Sequence, residues 1–189
     1  MRNRVQMLCV AALLLIAPAF APAMRGQAPE AFTATASAKS KGKTHTAPVR
    51  IAIDALSSEA EQKAVMGAVK SGGTPAVKDA LSKMKDLGTL EVGERKAPIR
   101  YAFSRPTGSG RLVTVVTAEP LLHIGSHLPD AKPKTGYDVA VAILVLDHND
   151  AGHGELAPAA KVKTNASGAI VVEDYGSAKI WLKNIAKAK

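Results

Sequence analysis

The sequence predicts an α+β domain: an N-terminal helical hairpin packed on an antiparallel β-meander of six to eight strands, forming a sheet or a partly closed barrel. Three observations predict it. Apolar residues recur with a period near four before Gly88 and with a period of two after it. Helix-capping signals stand at Ser58 and Thr74. Short turn signals separate the later apolar runs, and consecutive strands joined by short turns pair antiparallel.

The chain opens with Arg2 and Arg4, an apolar run from Val10 to Ala17, and the small-x-small pattern Ala21-Pro22-Ala23. This order of positive, apolar and small residues predicts a signal peptide over 1–23 and an exported protein, periplasmic or extracellular. Val5 to Ala23 is also about long enough to span a bilayer. Pro18, Pro22 and the small residues favour cleavage over an uncleaved anchor, and no integral membrane span is expected after cleavage. Cys9, the only cysteine, lies inside this segment. It precedes most of the apolar stretch, which disfavours lipid anchoring. The remaining chain has no disulfide and no thiolate chemistry.

Residues 24–48, rich in Ala, Thr, Ser, Lys and Pro, predict a flexible linker. Lys39, Lys41 and Lys43 make it locally basic. A single globular domain is expected over 49–189. It starts with a short strand from Arg50 to Leu56. Ser58 and Glu61 then form a capping box for a helix with Ala64, Val65, Ala68 and Val69 on one face. Gly72-Gly73 ends that helix. Thr74 as N-cap and Pro75 at the first turn start a second, with Val77, Ala80, Leu81 and Met84 in one stripe. Gly88 ends it.

Beyond Gly88, Ile99, Tyr101 and Phe103 alternate with Arg100, Ala102 and Ser104 as in a half-buried strand. Thr107 to Gly110 is a turn. Arg111–Ala118 and Tyr137–Leu146 are apolar on both faces and read as central strands. Pro120 to Gly136 reads as a loop. Further strands are expected around Glu155–Thr164, Ala169–Glu173 and Ala178–Ile185, with turns at DHNDAGHG, Asn165–Gly168 and Asp174–Gly176.

The chain has 25 Lys and Arg against 16 Asp and Glu, a formal charge of +9. Loss of Arg2 and Arg4 with residues 1–23 would leave 23 basic side chains against those 16 acidic ones, about +7. Such a surface suits anionic envelope components or an anionic ligand. Nucleic acid is not expected, because export removes it and the few aromatics lack base-stacking spacing.

The runs GRLVTVVTAEP, YDVAVAILVLDHNDAGHGELAPAAKVK and GAIVVEDYGSAKIWLKNI are similar to a family of uncharacterised exported bacterial proteins. The resemblance covers about Thr89 to Ile185. It implies a bacterial, exported, single-domain protein. It brings no activity and no site residues.

No motif assembles a catalytic set. There is no G-x-S-x-G nucleophile elbow and no phosphate-binding glycine loop. Glu173 and Asp174 are adjacent on a strand and point to opposite faces. No cofactor is expected. His123 and His127 stand at i, i+4, but the intervening Gly125 and the following Pro129 oppose a helix. Asp147, His148, Asn149, Asp150, His153 and Glu155 crowd one turn. From Asp147 a calcium-loop template would need ligands where Ala151 and Pro158 stand. Turn chemistry explains Asp147–Gly154 without a ligand. A weak metal-dependent hydrolase using His123, His127, Asp147, His148 and His153 is the alternative function. The leading expectation is a non-catalytic binding or envelope-associated domain. Its surface is the last strand, where Trp181 shares a face with Lys179 and Lys183, together with Lys161 and Lys163 on a nearby strand. An aromatic ring among ammonium groups suits an anionic or sugar-like ligand.

Overall fold

A computed structural model describes residues 28–40, 42–121, 135–164, 170–174 and 180–188. The predicted signal peptide, most of the Pro120–Gly136 loop, His123, His127 and Lys179 lie outside these residues.

Nine strands and one helix follow in the order β1 (Glu30–Ser40), β2 (Lys43–Ile53), α1 (Glu59–Ser82), β3 (Gly88–Val92), β4 (Arg95–Thr107), β5 (Gly110–Thr117), β6 (Val139–Asp147), β7 (Gly152–Thr164), β8 (Ile170–Asp174) and β9 (Ile180–Lys187). Strands β1 to β7 pair in sequence order, β7 pairs with β9, and β9 pairs with β1. Every pairing is antiparallel, so eight strands close into a barrel. β8 stands outside this ring and pairs with β7 over Ala160–Thr164.

The expected α+β class with a helical hairpin over a sheet or partly closed barrel is therefore corrected. Among the described residues the protein is mostly β, its barrel is closed, and it has a single helical element. Closure depends on β1, which lies in the run expected to be a flexible linker. Glu30–Ser40 and Lys43–Pro48 are strand. The segment alternates as a strand must: Phe32, Ala36 and Ala38 are buried, while Thr33 and Lys39 are exposed. Its composition resembles a linker because the inward positions after Phe32 need only alanine.

The sequence cues for two helices instead produce a break within α1. Gly73 takes φ 60° and ψ −145°, outside the helical region, and the helix resumes at Thr74-Pro75. A Cβ at Gly73 would lie 3.2 Å from the Val162 carbonyl oxygen. Thr74 explains the placement. Its hydroxyl accepts from the Val162 amide at 2.7 Å and donates to the Val162 carbonyl at 3.2 Å, standing in for a neighbouring strand on β7. The capping box at the N-terminus forms as expected, with Ser58 Oγ accepting from Glu61 N and Glu61 Oε2 accepting from Ser58 N.

The closed sheet creates two apolar layers. The barrel interior is filled by Phe32, Ile51, Leu90, Ile99, Leu144 and Leu182 with their neighbours, each of these six fully buried. A second layer lies outside the sheet. There Val65, Val69, Val77 and Leu81 of α1 cover the outward side chains of β4 to β7, among them Tyr101, Val116, Val141 and Val162. Burial raises the Tyr101 hydroxyl above its ordinary pKa. Two covered faces are why β5 and β6 lack polar alternation. Ile99 and Tyr101, expected on one face, point apart: a register shift between them turns Ile99 inward and Tyr101 outward.

Candidate functional site

Among the described residues α1 covers one side of the barrel, and no helix packs on the outer face of β9, β1 and β2. Side chains alternate in and out on these strands, so burial of Ile180 and Leu182 turns Trp181 and Lys183 outward. On β1 the outward set is Thr33, Thr35, Ser37 and Lys39, of which Ser37 is buried and Thr35 half-buried; on β2 it is Thr44, Thr46, Pro48 and Arg50, all exposed. Register aligns them across the wall. Trp181 stands opposite Ser37, which in turn faces Thr46, and Lys183 stands opposite Thr35. Trp181 is 43% exposed and is the only tryptophan of the chain. Lys39, Arg50 and Lys183 are exposed and form no ion pair among the described residues. On the other flank of Trp181, β7 presents Glu155 opposite it.

The other lysines singled out from the sequence lie elsewhere. Ala160 and Val162 belong to the layer beneath α1, so Lys161 and Lys163 project from the opposite face of β7. Lys163 donates to Glu173 at 2.7 Å, and the Tyr137 hydroxyl donates to the same carboxylate at 2.6 Å. The hydrogen bond from Lys163, then that from Tyr137, holds Glu173 down at about 2. Trp181 and Lys183 therefore share a wall, and Lys161 and Lys163 do not join them. Lys179 lies outside the described residues.

The residues of the metal reading are also separated by role. Asp147 Oδ1 accepts from the amides of Asn149 and Ala151 at 2.8 and 3.0 Å, the work of a turn residue. His153 faces outward opposite Val145, while His148 sits exposed in the turn. Among the described residues no group of three or more His, Cys, Asp or Glu side chains is placed to hold a metal ion. His123 and His127 lie outside them. Ser109, Val145, Ala151 and His153 border an open depression of about 250 Å³ at this end of the barrel.

Sequence reasoning missed a charge cluster at the foot of the barrel. Arg111 has the inward parity of Val113 and Val115 and turns into the barrel mouth. It donates through both terminal nitrogens to Glu30, at 3.1 and 2.7 Å, and through Nε to Asp150 at 2.9 Å. Its guanidinium carbon lies 5.6 Å from the centroid of the Phe32 ring, in cation–π range. Lys187 donates to Asp150 at 3.2 Å. The hydrogen bond to Glu30 raises the Arg111 pKa further. Burial pushes Asp150 upward, but the hydrogen bonds from Arg111 and Lys187 outweigh it and hold the carboxyl below its ordinary range. The Glu30 side chain is 4% exposed. These groups tie the start of β1 and the end of β9, the seam that closes the barrel, to β5 and the β6–β7 turn. They form a paired structural plug. No short-range signal reveals it, because Glu30 and Arg111 are 81 positions apart.

No family model matches the chain, and comparison with curated proteins and with solved structures finds no match. Among the described residues no helix is long and apolar enough to cross a membrane.

Proposed function

We propose that this is an exported bacterial binding module, non-catalytic, that holds an anionic component of the cell envelope against the outer face of β9, β1 and β2. The observation that carries the reading is the 43% exposed Trp181 on a wall with Lys183, Lys39 and Arg50. A filled barrel interior supports the same reading, since large side chains occupy the space where small barrels hold a ligand. Export rests on the order of charge, apolar run and small residues in 1–23.

Trp181 is the only tryptophan, so its emission reports on this wall alone. Titration of the protein with heparin and with phosphatidylglycerol vesicles tests the reading. The expected result is a saturable change in Trp181 emission with at least one of them, weakened by salt. Absence of any response, with the fold intact by circular dichroism, overturns it.

A further inference from the structure

We infer that the occupant of the bare wall is an extended anionic polysaccharide lying across β9, β1 and β2, rather than a lipid surface. This deepens the function proposed above and rests on it.

The spacing of the charges comes first. Lys183 lies on β9 opposite Thr35, and Thr35 lies opposite Pro48; Arg50 is two residues farther along β2. Strands about 4.8 Å apart and a rise of about 3.4 Å per residue put Arg50 roughly 12 Å from Lys183. Lys39 is four residues from Thr35 along β1, about 14 Å from Lys183 by the same spacings. These are separations of the strand positions that carry the side chains, and a chain of several charged sugars can engage all three cations at once without drawing their flexible stems together on one small anion.

The ground between the cations is chemically suited to sugars. Thr33, Thr35 and Thr46 carry hydroxyls that both donate and accept, matching the hydroxyls of a glycan. Trp181 adds a flat apolar face against which the C–H side of a sugar ring packs.

A membrane surface fits less well. Interfacial binding needs a set of apolar side chains to enter the headgroup boundary. Trp181 is the only large apolar residue exposed on this wall among the described residues; Met66 is on α1 and Val145 is on β6. Base stacking of a nucleic acid also needs successive aromatic platforms.

The test titrates the protein with heparin oligosaccharides from disaccharide to octasaccharide, with phosphatidylglycerol vesicles, and with inorganic sulfate, following Trp181 emission. The expected Kd falls by at least about tenfold between disaccharide and octasaccharide, because a longer chain engages a second and third cation. The triple variant Lys39→Gln, Arg50→Gln, Lys183→Gln is expected to keep the wild-type Tm and to lose this length dependence. Three outcomes overturn the inference while leaving an anion-binding wall: binding to vesicles without oligosaccharide binding, affinity independent of length, or saturation by sulfate alone. No response to any probe overturns both this inference and the proposed function.

Discussion

The two outer walls of the barrel are built from the same kind of strand and finished in opposite ways. Beneath α1 the outward positions of β4 to β7 are Tyr101, Val116, Val141 and Val162, and helix side chains remove them from water. On β9, β1 and β2 the outward positions are threonines, Ser37, lysines, Pro48, Arg50 and one tryptophan; Ser37 is buried, but Thr33, Lys39, Arg50, Trp181 and Lys183 stay exposed and no helix of the described structure packs on them. The first wall contributes stability through burial. The second contributes little to stability, so its residue types are open to other demands. Trp181 is the sharpest case. A large aromatic left 43% exposed forgoes much of the burial it could gain.

The contrast yields a ranked set of expectations. The largest effect belongs to the plug that closes the seam between the walls. Arg111→Leu leaves Glu30 buried without its bidentate partner and is expected to cost about 3–5 kcal/mol in urea unfolding. The double variant Glu30→Met, Arg111→Leu removes both charges and is expected to lose distinctly less than the single variant. An equal or greater loss would mean that the pair holds the seam beyond satisfying a buried charge. Next comes the covered wall. Leu81 is fully buried between α1 and the barrel. Leu81→Ala should cost about 2–4 kcal/mol by the same measurement.

How much of this was legible in the sequence follows the same division. The central strands β5 and β6 were readable because β-branched and aliphatic residues on both faces announce two covered sides. The capping box at Ser58 and the break at Gly73-Thr74 were readable because both are local. β1 was not, although Phe32, Ala34, Ala36 and Ala38 alternate with Thr33, Thr35 and Ser37. Alanine, threonine and serine have the composition of a linker, and period two in small residues carries a weak apolar signal. Closure was hidden for a related reason. It requires β1 to find β9, nearly the full described length away, and the plug residues meet only once that happens. Trp181 and Lys183 were legible as one surface because they are i, i+2 on a strand. That Lys161 and Lys163 share one face of a strand is equally local, but whether that face joins Trp181 is not, because the irregular pairing of β6 and β7 between Val139 and Val141 decides which way they point.

Smaller effects sharpen the comparison from the other side. Substitutions on the bare wall, such as Arg50→Gln or Lys183→Gln, should change unfolding free energy by less than about 0.5 kcal/mol. A loss as large as that of Leu81→Ala would mean the wall is covered in solution. The Glu173 contact gives the last expectation. Its carboxyl is held at about 2 from an ordinary 4.5, so the hydrogen bonds from Lys163 and Tyr137 are present above pH 4.5 and are lost as pH falls toward 2. Tyr137 and Lys163 resonances should follow that titration, and Glu173→Gln should remove it.

The central claim is that the barrel carries its ligand on the bare wall and not inside. Amide chemical-shift mapping during titration with a heparin octasaccharide addresses it most directly. The account predicts perturbations confined to β9, β1 and β2 and centred on Trp181, Lys183 and Arg50. Perturbations concentrated on α1 and β4 to β6, or on the inward residues of the barrel, would contradict it.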